Sequence, residues 1–406
     1  MTQTVTRRRV LYIPGYDPFH PRRYRELYRK EGAAQAAISG YSLSQTRGSG
    51  PYSWVVDARM DGAHVTAEIE VLVWSDIVSS SMAASIPATY AQLVRTAWTY
   101  IASGALFRLM KLRKGPVIAA LYPILFLLGQ LVIACLIGWA MVAVVRLGVV
   151  TLWPGGQAAG WTLGLIVGAG VAIATLRWFK AQDAKVFAYY LMHDYAFSAR
   201  WGGAYPPELE NRMAAFADRI AEALASDADE VLVVGHSSGA HLAISVLADM
   251  IRAGRMSPDR CALLSLGHVV PMVSFLPKAN RLRDDLHVMG EQQRIPWVDV
   301  TAPGDGCAFA LCDPVAVSGV APKVQTGPLI LSAAFSRTLS PERWNALKRR
   351  YFRLHFQYLC AFDRPGDYDY FRITAGPLTL AERFAGRAPS PSALRSPVNR
   401  YTDRAA

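Results

Sequence analysis

Two long stretches without a charged side chain restrict this chain most severely. From Val117 to Val145 there is no charge, and Gln130 is the only strongly polar side chain. A second uncharged stretch, residues 158–176, follows a Pro-Gly-Gly turn. A helix of about 20 apolar residues crosses the hydrocarbon core of a bilayer, where every backbone group must be bonded internally. The sequence therefore predicts two transmembrane helices, at about residues 117–146 and 158–176.

The charges on either side of these stretches predict their orientation. Both flanks are basic, whereas Arg146 is the only charge between the two stretches. Lysine and arginine are enriched on the cytoplasmic side of a membrane. We therefore expect a hairpin in the cytoplasmic membrane, with both termini and the remaining chain on the cytoplasmic side. The flanking cations are Arg95, Arg108, Lys111, Arg113 and Lys114 before the hairpin, and Arg177, Lys180 and Lys185 after it.

The residues around the hairpin suggest a larger membrane-associated insertion, at 81–182. Within it, residues 87–114 show apolar side chains at helical spacing and a basic end. That pattern is typical either of an amphipathic helix on an anionic leaflet or of an ordinary packed helix. Gly164 and Gly168 form a Gly-x-x-x-Gly pattern, which allows a partner helix to approach closely.

Composition agrees with a membrane protein. Hydrophobic residues make up 52% of the chain and charged residues 18%, with a formal net charge of +12. Such a charge favours either an anionic membrane surface or nucleic acid. The cations concentrate beside the hairpin and in the terminal segments, and no known nucleic-acid module is recognisable, so we expect the bilayer as partner and no nucleic acid.

The cysteines and the N-terminus favour a reducing compartment. The five cysteines form no evenly spaced framework, so we expect free thiols, and no metal or cofactor. Residues 6–9, Thr-Arg-Arg-Arg, are similar to the start of an export signal, but the apolar run after them ends at Ile13. The chain is therefore expected to start in the cytoplasm.

A strand-turn-helix pattern surrounds Ser237. A β-branched run from Glu230 leads into Gly-His-Ser-Ser-Gly at residues 235–239, and a helix-forming sequence follows. This order is that of a nucleophile elbow, in which two glycines permit a sharp, strained turn and the following helix directs its N-terminus at developing negative charge. Ser237 is therefore predicted to be a catalytic nucleophile.

The rest of the chain alternates between predicted strands and helices, which favours an α/β fold with a largely parallel sheet covered on both faces. The predicted strands are residues 9–13, 65–74, 230–234, 261–266 and 295–300. Residues 40–51 are predicted to be a polar loop, and residues 383–406, rich in Ala, Pro, Ser and Arg, a disordered tail.

On these residues the chain resembles the α/β-hydrolases, over about residues 8–78 and 183–375. The resemblance implies a hydrolase domain in two parts, residues 1–80 and 183–382, interrupted by the insertion. It also implies an oxyanion hole formed by the backbone N–H of Ser238 and the loop at Gly15 and Tyr16.

The same resemblance implies that an acid and then a histidine follow the nucleophile along the chain. Three aspartates qualify as the acid, and we favour Asp305 in the loop after a strand, with Asp313 as the alternative and Asp299 inside the strand. His355 is the only histidine after all three and is the expected base, with His268 as runner-up.

The expected activity is that of a serine hydrolase of the carboxylesterase or lipase type, acting on a lipid-like or amphiphilic ester through an acyl-enzyme on Ser237. The alternative is a membrane scaffold that retains the hydrolase fold without turnover.

Overall fold

The computed structural model describes residues 5–82, 85–256 and 259–404. Contacts within the chain divide it into two units. The first consists of residues 1–80, 99–117 and 201–406, and the second of residues 81–98 and 118–200.

An eight-stranded sheet forms the first unit. Its order is β2-β3-β4-β1-β5-β6-β7-β8, with parallel pairing from β4 to β8 and antiparallel pairing of β2 with β3 and of β3 with β4. The strands are β1 (Arg7–Ile13), β2 (Ser42–Arg47), β3 (Ser53–Met60), β4 (Ala63–Val71), β5 (Glu230–His236), β6 (Cys261–Leu266), β7 (Trp297–Thr301) and β8 (Leu329–Ser332).

Helices make up most of the remaining regular structure. In chain order they are α1 (Arg22–Ser39), α2 (Ser75–Ser81), α3 (Ile86–Ala102), α4 (Ala105–Leu112), α5 (Lys114–Leu152), α6 (Gln157–Ala181), α7 (Asp183–Val186), α8 (Ala188–Arg200), α9 (Pro207–Ala225), α10 (Gly239–Arg252), α11 (Val270–Ser274), α12 (Asn280–Glu291), α13 (Pro314–Val317), α14 (Phe335–Thr338), α15 (Pro341–Leu347), α16 (Tyr351–His355), a 3₁₀ turn (Gln357–Leu359), α17 (Tyr370–Ala375) and α18 (Leu380–Arg383).

The burial of the strands follows their place in the sheet. Every residue of β5, β6 and β7 is buried, as expected for parallel strands covered by helices on both faces. Strand β4 instead alternates between buried and partly exposed residues, because only one face packs on the core there. The predicted α/β class with a mostly parallel sheet is confirmed, although the sheet as a whole is mixed.

Two sequence-based expectations differ from the structure. The predicted polar loop at residues 40–51 contains β2, whose six residues pair with β3. The predicted disordered tail is ordered over residues 383–404, and only residues 405–406 lie outside the described part. Leu394 exchanges backbone hydrogen bonds with the loop before α13, and Asp403 pairs with the buried Arg283 at 2.7 Å. Phe384 also packs into the hydrophobic core, so the segment contacts the fold through backbone bonds, an ion pair and an apolar side chain that its overall composition does not reveal.

The second unit contains the two long apolar helices, α5 with 39 residues and α6 with 25. Both are long and apolar enough to cross a membrane, and only 22% and 17% of their most apolar stretches are buried. In the core helix of a soluble protein, most of such a stretch would be buried. The Gly-x-x-x-Gly face packs within this hairpin, since a Cβ on Gly164 would lie 3.0 Å from the Val142 carbonyl oxygen and one on Gly168 2.6 Å from that of Gly138.

The limits of the second unit are not those of the predicted insertion, whose extent stays a prediction. The second unit continues through α8 to Arg200, beyond residue 182, and residues 99–117 belong to the first unit. The segment at residues 87–114 forms α3 and α4 in place of one continuous helix, because Gly104 adopts a left-handed conformation between them. In the second unit, α3 buries Leu93 together with Thr89 and Thr96 and exposes Val94 and Trp98, so apolar side chains lie on both its buried and its exposed sides.

A buried ion pair fixes the central strands. The Arg8 guanidinium on β1 donates to Glu230 on β5 at 2.7 Å and to the carbonyl oxygens of Gly376 and Leu378. Removing one member of a buried pair leaves an uncompensated charge, which destabilises a fold by about 3–5 kcal/mol. We expect Arg8→Met to lower the free energy of unfolding by about that amount, measured by urea denaturation of the detergent-solubilised chain.

The matched control is Arg29→Met, since Arg29 pairs with Glu26 on the surface of α1 at 2.9 Å. Exposed pairs of this kind contribute about 0–1 kcal/mol. An Arg8→Met protein as stable as the control would contradict a structural role for the buried pair.

Candidate active site

Ser237 lies at the sharp turn between β5 and α10. Its φ is +57°, a left-handed conformation that is uncommon for a residue with a side chain and that Asp61, Phe187, Leu311 and Ala334 also adopt in this chain. The two glycines that flank the turn, Gly235 and Gly239, leave no room for a side chain. A Cβ on Gly235 would lie 2.7 Å from the Ala240 Cα, and one on Gly239 2.1 Å from the Ile13 carbonyl oxygen. The turn therefore presents a partly exposed hydroxyl beside the N-terminus of α10.

His355 and Asp305 form a buried pair. The His355 Nδ1 and the Asp305 Oδ2 are 2.7 Å apart, and the side chains are 8% and 0% exposed. His355 ends α16, whereas Asp305 lies in the loop after β7. An ionised carboxylate only accepts hydrogen bonds, so Nδ1 carries the proton and Nε2 is left able to accept one. This is the tautomer that a general base needs.

Two further donors hold the Asp305 carboxylate. The Cys307 backbone N–H donates to Oδ1 at 2.9 Å, and the Tyr358 hydroxyl donates to Oδ2 at 3.0 Å. Burial alone would raise the pKa of Asp305, but His355 and these donors lower it below its ordinary value. The carboxylate therefore stays ionised at neutral pH and can stabilise a histidine cation.

His236, next to the serine, supports the backbone of His355. Its Nε2 donates to the His355 carbonyl oxygen at 3.0 Å, and the two rings are 4.9 Å apart. Burial, together with the nearby His355, lowers the pKa of His236 to about 3. His236 is therefore neutral at physiological pH and positions His355.

Ser237 and His355 both lie next to the end of β6. The Ser237 N–H donates to the Leu266 carbonyl oxygen at 2.9 Å, and a Cβ on the next residue, Gly267, would lie 3.2 Å from the His355 Cε1. Among the described residues, the Ser237 hydroxyl forms no hydrogen bond. Catalytic hydrogen bonds are often long without substrate and shorten when it binds.

The loop after β1 lies directly against the serine. A Cβ on Gly15 would lie 2.9 Å from the Ser237 Cβ and 3.3 Å from its Oγ, so only glycine fits there. The Trp74 indole donates to the Pro14 carbonyl oxygen at 2.9 Å and holds the loop. Within the described ranges, the N–H groups of Gly15 and Ser238 donate no hydrogen bond. Both backbone donors of the predicted oxyanion hole therefore border Ser237, and the Tyr16 side chain is buried beside them.

The structure gives the alternative acid a different position. Asp313 caps α13, where its Oδ1 accepts from the backbone N–H groups of Val315 and Ala316 at 3.1 Å. Its Oδ2 accepts from Gln325 at 2.8 Å. These contacts are those of an N-cap and occupy both carboxylate oxygens, so the structure brings Asp305, and not Asp313, to His355.

The runner-up histidine pairs with another aspartate. His268 and Asp299 are both fully buried, with His268 Nε2 at 3.0 Å from the Cys312 carbonyl oxygen and 3.6 Å from Asp299 Oδ2. Ser265 donates to Asp299 at 2.6 Å. Burial raises the pKa of Asp299 to about 6. This second pair lies inside the sheet without access to solvent.

Neither Tyr358 nor His236 was among the site residues predicted from the sequence. The three-residue spacing of His355 and Tyr358 is a usable signal, because it places both side chains on one side of a helical turn. The contact of His236 with His355 joins residues 119 apart and has no local signal.

One group of side chains in this site is able to hold a metal ion. Ligand atoms of Asp305, Cys307 and His355 all lie within 4.8 Å of one another. Carboxylate, thiolate and imidazole are the ligands that zinc prefers in proteins.

Comparisons with known proteins assign no family to this chain. Neither a family model, nor a curated protein, nor a solved structure matches this chain.

Proposed function

We propose that this chain is a membrane-anchored serine hydrolase that cleaves a carboxylic ester through an acyl-enzyme on Ser237. The observation that carries the proposal is the strained Ser237, held at φ +57° at a strand-helix turn beside the buried His355–Asp305 pair. Strained residues concentrate at active sites, and an imidazole oriented by a carboxylate is the usual activator of a serine.

The chemistry follows from the positions of these groups. His355 Nε2 takes the hydroxyl proton as Ser237 Oγ attacks the carbonyl carbon, and Asp305 stabilises the resulting imidazolium. The N–H of Ser238 and the loop at Gly15 and Tyr16 donate to the oxygen that becomes negative, which lowers the barrier by about 3–4 kcal/mol per donor. Nε2 then returns the proton to the leaving alcohol, and water hydrolyses the acyl-enzyme by the same steps.

The surroundings of the site support an amphiphilic substrate. The Arg23 guanidinium lies 4.9 Å from the exposed Phe19 ring and 5.0 Å from the Phe356 ring, which in turn contacts His236. Arg23 also pairs with the buried Asp17 at 3.2 Å, so its charge is compensated, and the aromatic faces next to the catalytic histidine suit a molecule with an apolar chain. Anchoring by α5 and α6 would keep such a hydrolase at the cytoplasmic face of the membrane, close to lipid esters.

A non-catalytic scaffold is the second candidate. The observation that favours it is the Ser237 hydroxyl, which forms no hydrogen bond to His355 or to any other described residue. In that case the strain at Ser237 would persist without turnover.

Labelling with a fluorophosphonate probe separates the two candidates. We expect the full-length protein in detergent to be labelled on Ser237, identified by peptide mass spectrometry, and Ser237→Ala to lose all labelling. The control is Ser238→Ala, which retains the backbone N–H of residue 238 and is expected still to be labelled. A folded wild-type protein that does not react, or a Ser237→Ala protein that reacts equally, would favour the scaffold.

A further inference from the structure

Cys307 brings a thiol to the acid–base pair. It lies two residues after Asp305, and its own N–H donates to the Asp305 carboxylate at 2.9 Å, which turns the loop back on itself. The thiol, the carboxylate and the His355 imidazole each offer a ligand atom within 4.8 Å of the other two. Cys307 is partly exposed, whereas Asp305 and His355 are buried.

We propose that Asp305, Cys307 and His355 form an inhibitory site for a zinc ion or a similar thiophilic divalent cation. Zinc is bound at about 2.3 Å from sulfur and about 2.0–2.2 Å from nitrogen or oxygen, which places ligand atoms of a tetrahedral site about 3.3–3.7 Å apart. His355 Nδ1 and Asp305 Oδ2 are 2.7 Å apart, which is closer than two zinc ligands lie. When the ion binds, these two atoms therefore move apart and the Cys307 sulfur moves toward them. Three protein ligands leave the fourth position to water.

Metal binding prevents His355 from acting as the general base, whichever of its two ring nitrogens coordinates the ion. A metal on Nε2 blocks the lone pair that would accept the serine proton. A metal on Nδ1 displaces the Nδ1 proton, and a neutral imidazole then carries its proton on Nε2. In both cases Cys307 loses its thiol proton to solvent, so one proton is released for each metal bound and no group is oxidised. The inhibition rests on the proposed hydrolase function, whereas the metal binding does not.

The test separates binding from activity. Cobalt is added to full-length Ser237→Ala protein, purified without a histidine tag, and the thiolate-to-cobalt charge-transfer band is measured in the near ultraviolet. We expect one equivalent of Co²⁺ to produce the band, Zn²⁺ to displace it and Cys307→Ser to abolish it. Cys360→Ser is the matched control, because Cys360 is also a partly exposed cysteine.

The second arm uses protein with Ser237 intact and follows the rate of fluorophosphonate labelling as Zn²⁺ is added. We expect Zn²⁺ to slow labelling. Because loss of a group that merely supports a metal ligand costs about 10–100-fold in affinity, Cys307→Ser, which removes a ligand, should require at least that much more Zn²⁺ for the same effect. Absence of the band, the same Zn²⁺ sensitivity in Cys307→Ser, or a band without slower labelling would each overturn the proposal. If the wild-type protein is never labelled, the hydrolase proposal fails, and the cobalt band alone decides whether the metal site exists.

Discussion

His355→Ala is expected to lower kcat/KM for an activated ester by on the order of 10⁴ to 10⁶-fold, because the variant removes the imidazole that pairs with the buried Asp305 carboxylate near Ser237. The loss should lie in kcat, since the histidine moves a proton and does not hold substrate. Labelling by the fluorophosphonate should slow with it, since both reactions need the same activated hydroxyl. Initial rates of p-nitrophenyl ester hydrolysis and second-order labelling rates measure the two effects.

The control for this prediction is His268, the runner-up base. His268 is fully buried and bonded to the Cys312 carbonyl oxygen, so His268→Gln should keep kcat/KM within about tenfold in protein that remains folded by circular dichroism. If His268→Gln were the inactive variant and His355→Ala the active one, His268 would be the base, and the Asp305–His355 pair would have no catalytic role.

The sequence predicts the fold class because the apolar patterns are local. Strand β6 is found at Cys261–Leu266 as predicted, and helix α9 begins at Pro207, where a proline suits the first helical turn. Short apolar runs such as these are stable when they are buried within a sheet or packed against one. Strand β2 was missed because its polar residues lie at the edge of the sheet and resemble a loop.

The site could be predicted only in part. A turn with two glycines around a serine has a local signature, and the structure has Ser237 in the strained conformation that this signature implies. The pairing of Asp305 with His355 spans 50 residues, so no spacing rule could choose Asp305 over Asp313. The chain before the histidine forms two short helices, α15 and α16, and His355 is the last residue of the second.

Replacing the two candidate acids separately tests that choice. Asp305→Asn is expected to lower kcat by about 10³–10⁴-fold, because the amide no longer fixes the proton on Nδ1 or stabilises the imidazolium. Asp313→Asn should leave kcat within about threefold, since asparagine also accepts the backbone N–H groups of a helix N-cap. Both positions are at most 2% exposed, and both changes preserve the size of the side chain. Steady-state hydrolysis by the two purified variants gives the comparison.

The lowered pKa of Asp305 also predicts how the stability of Asp305→Asn depends on pH. Burial would raise that pKa, yet His355 and the donors around the carboxylate lower it below its ordinary value, so the native contacts require the ionised form. A folded-state pKa below the unfolded one contributes stability above the unfolded pKa, and this stability is lost as pH falls through the folded pKa. Asp305→Asn should therefore be less stable than wild type at neutral pH, and the difference should shrink in acid. An Asp305→Asn protein with wild-type kcat would show that His355 does not depend on this carboxylate, whereas loss of activity in Asp313→Asn alone would transfer the acid's role to residue 313.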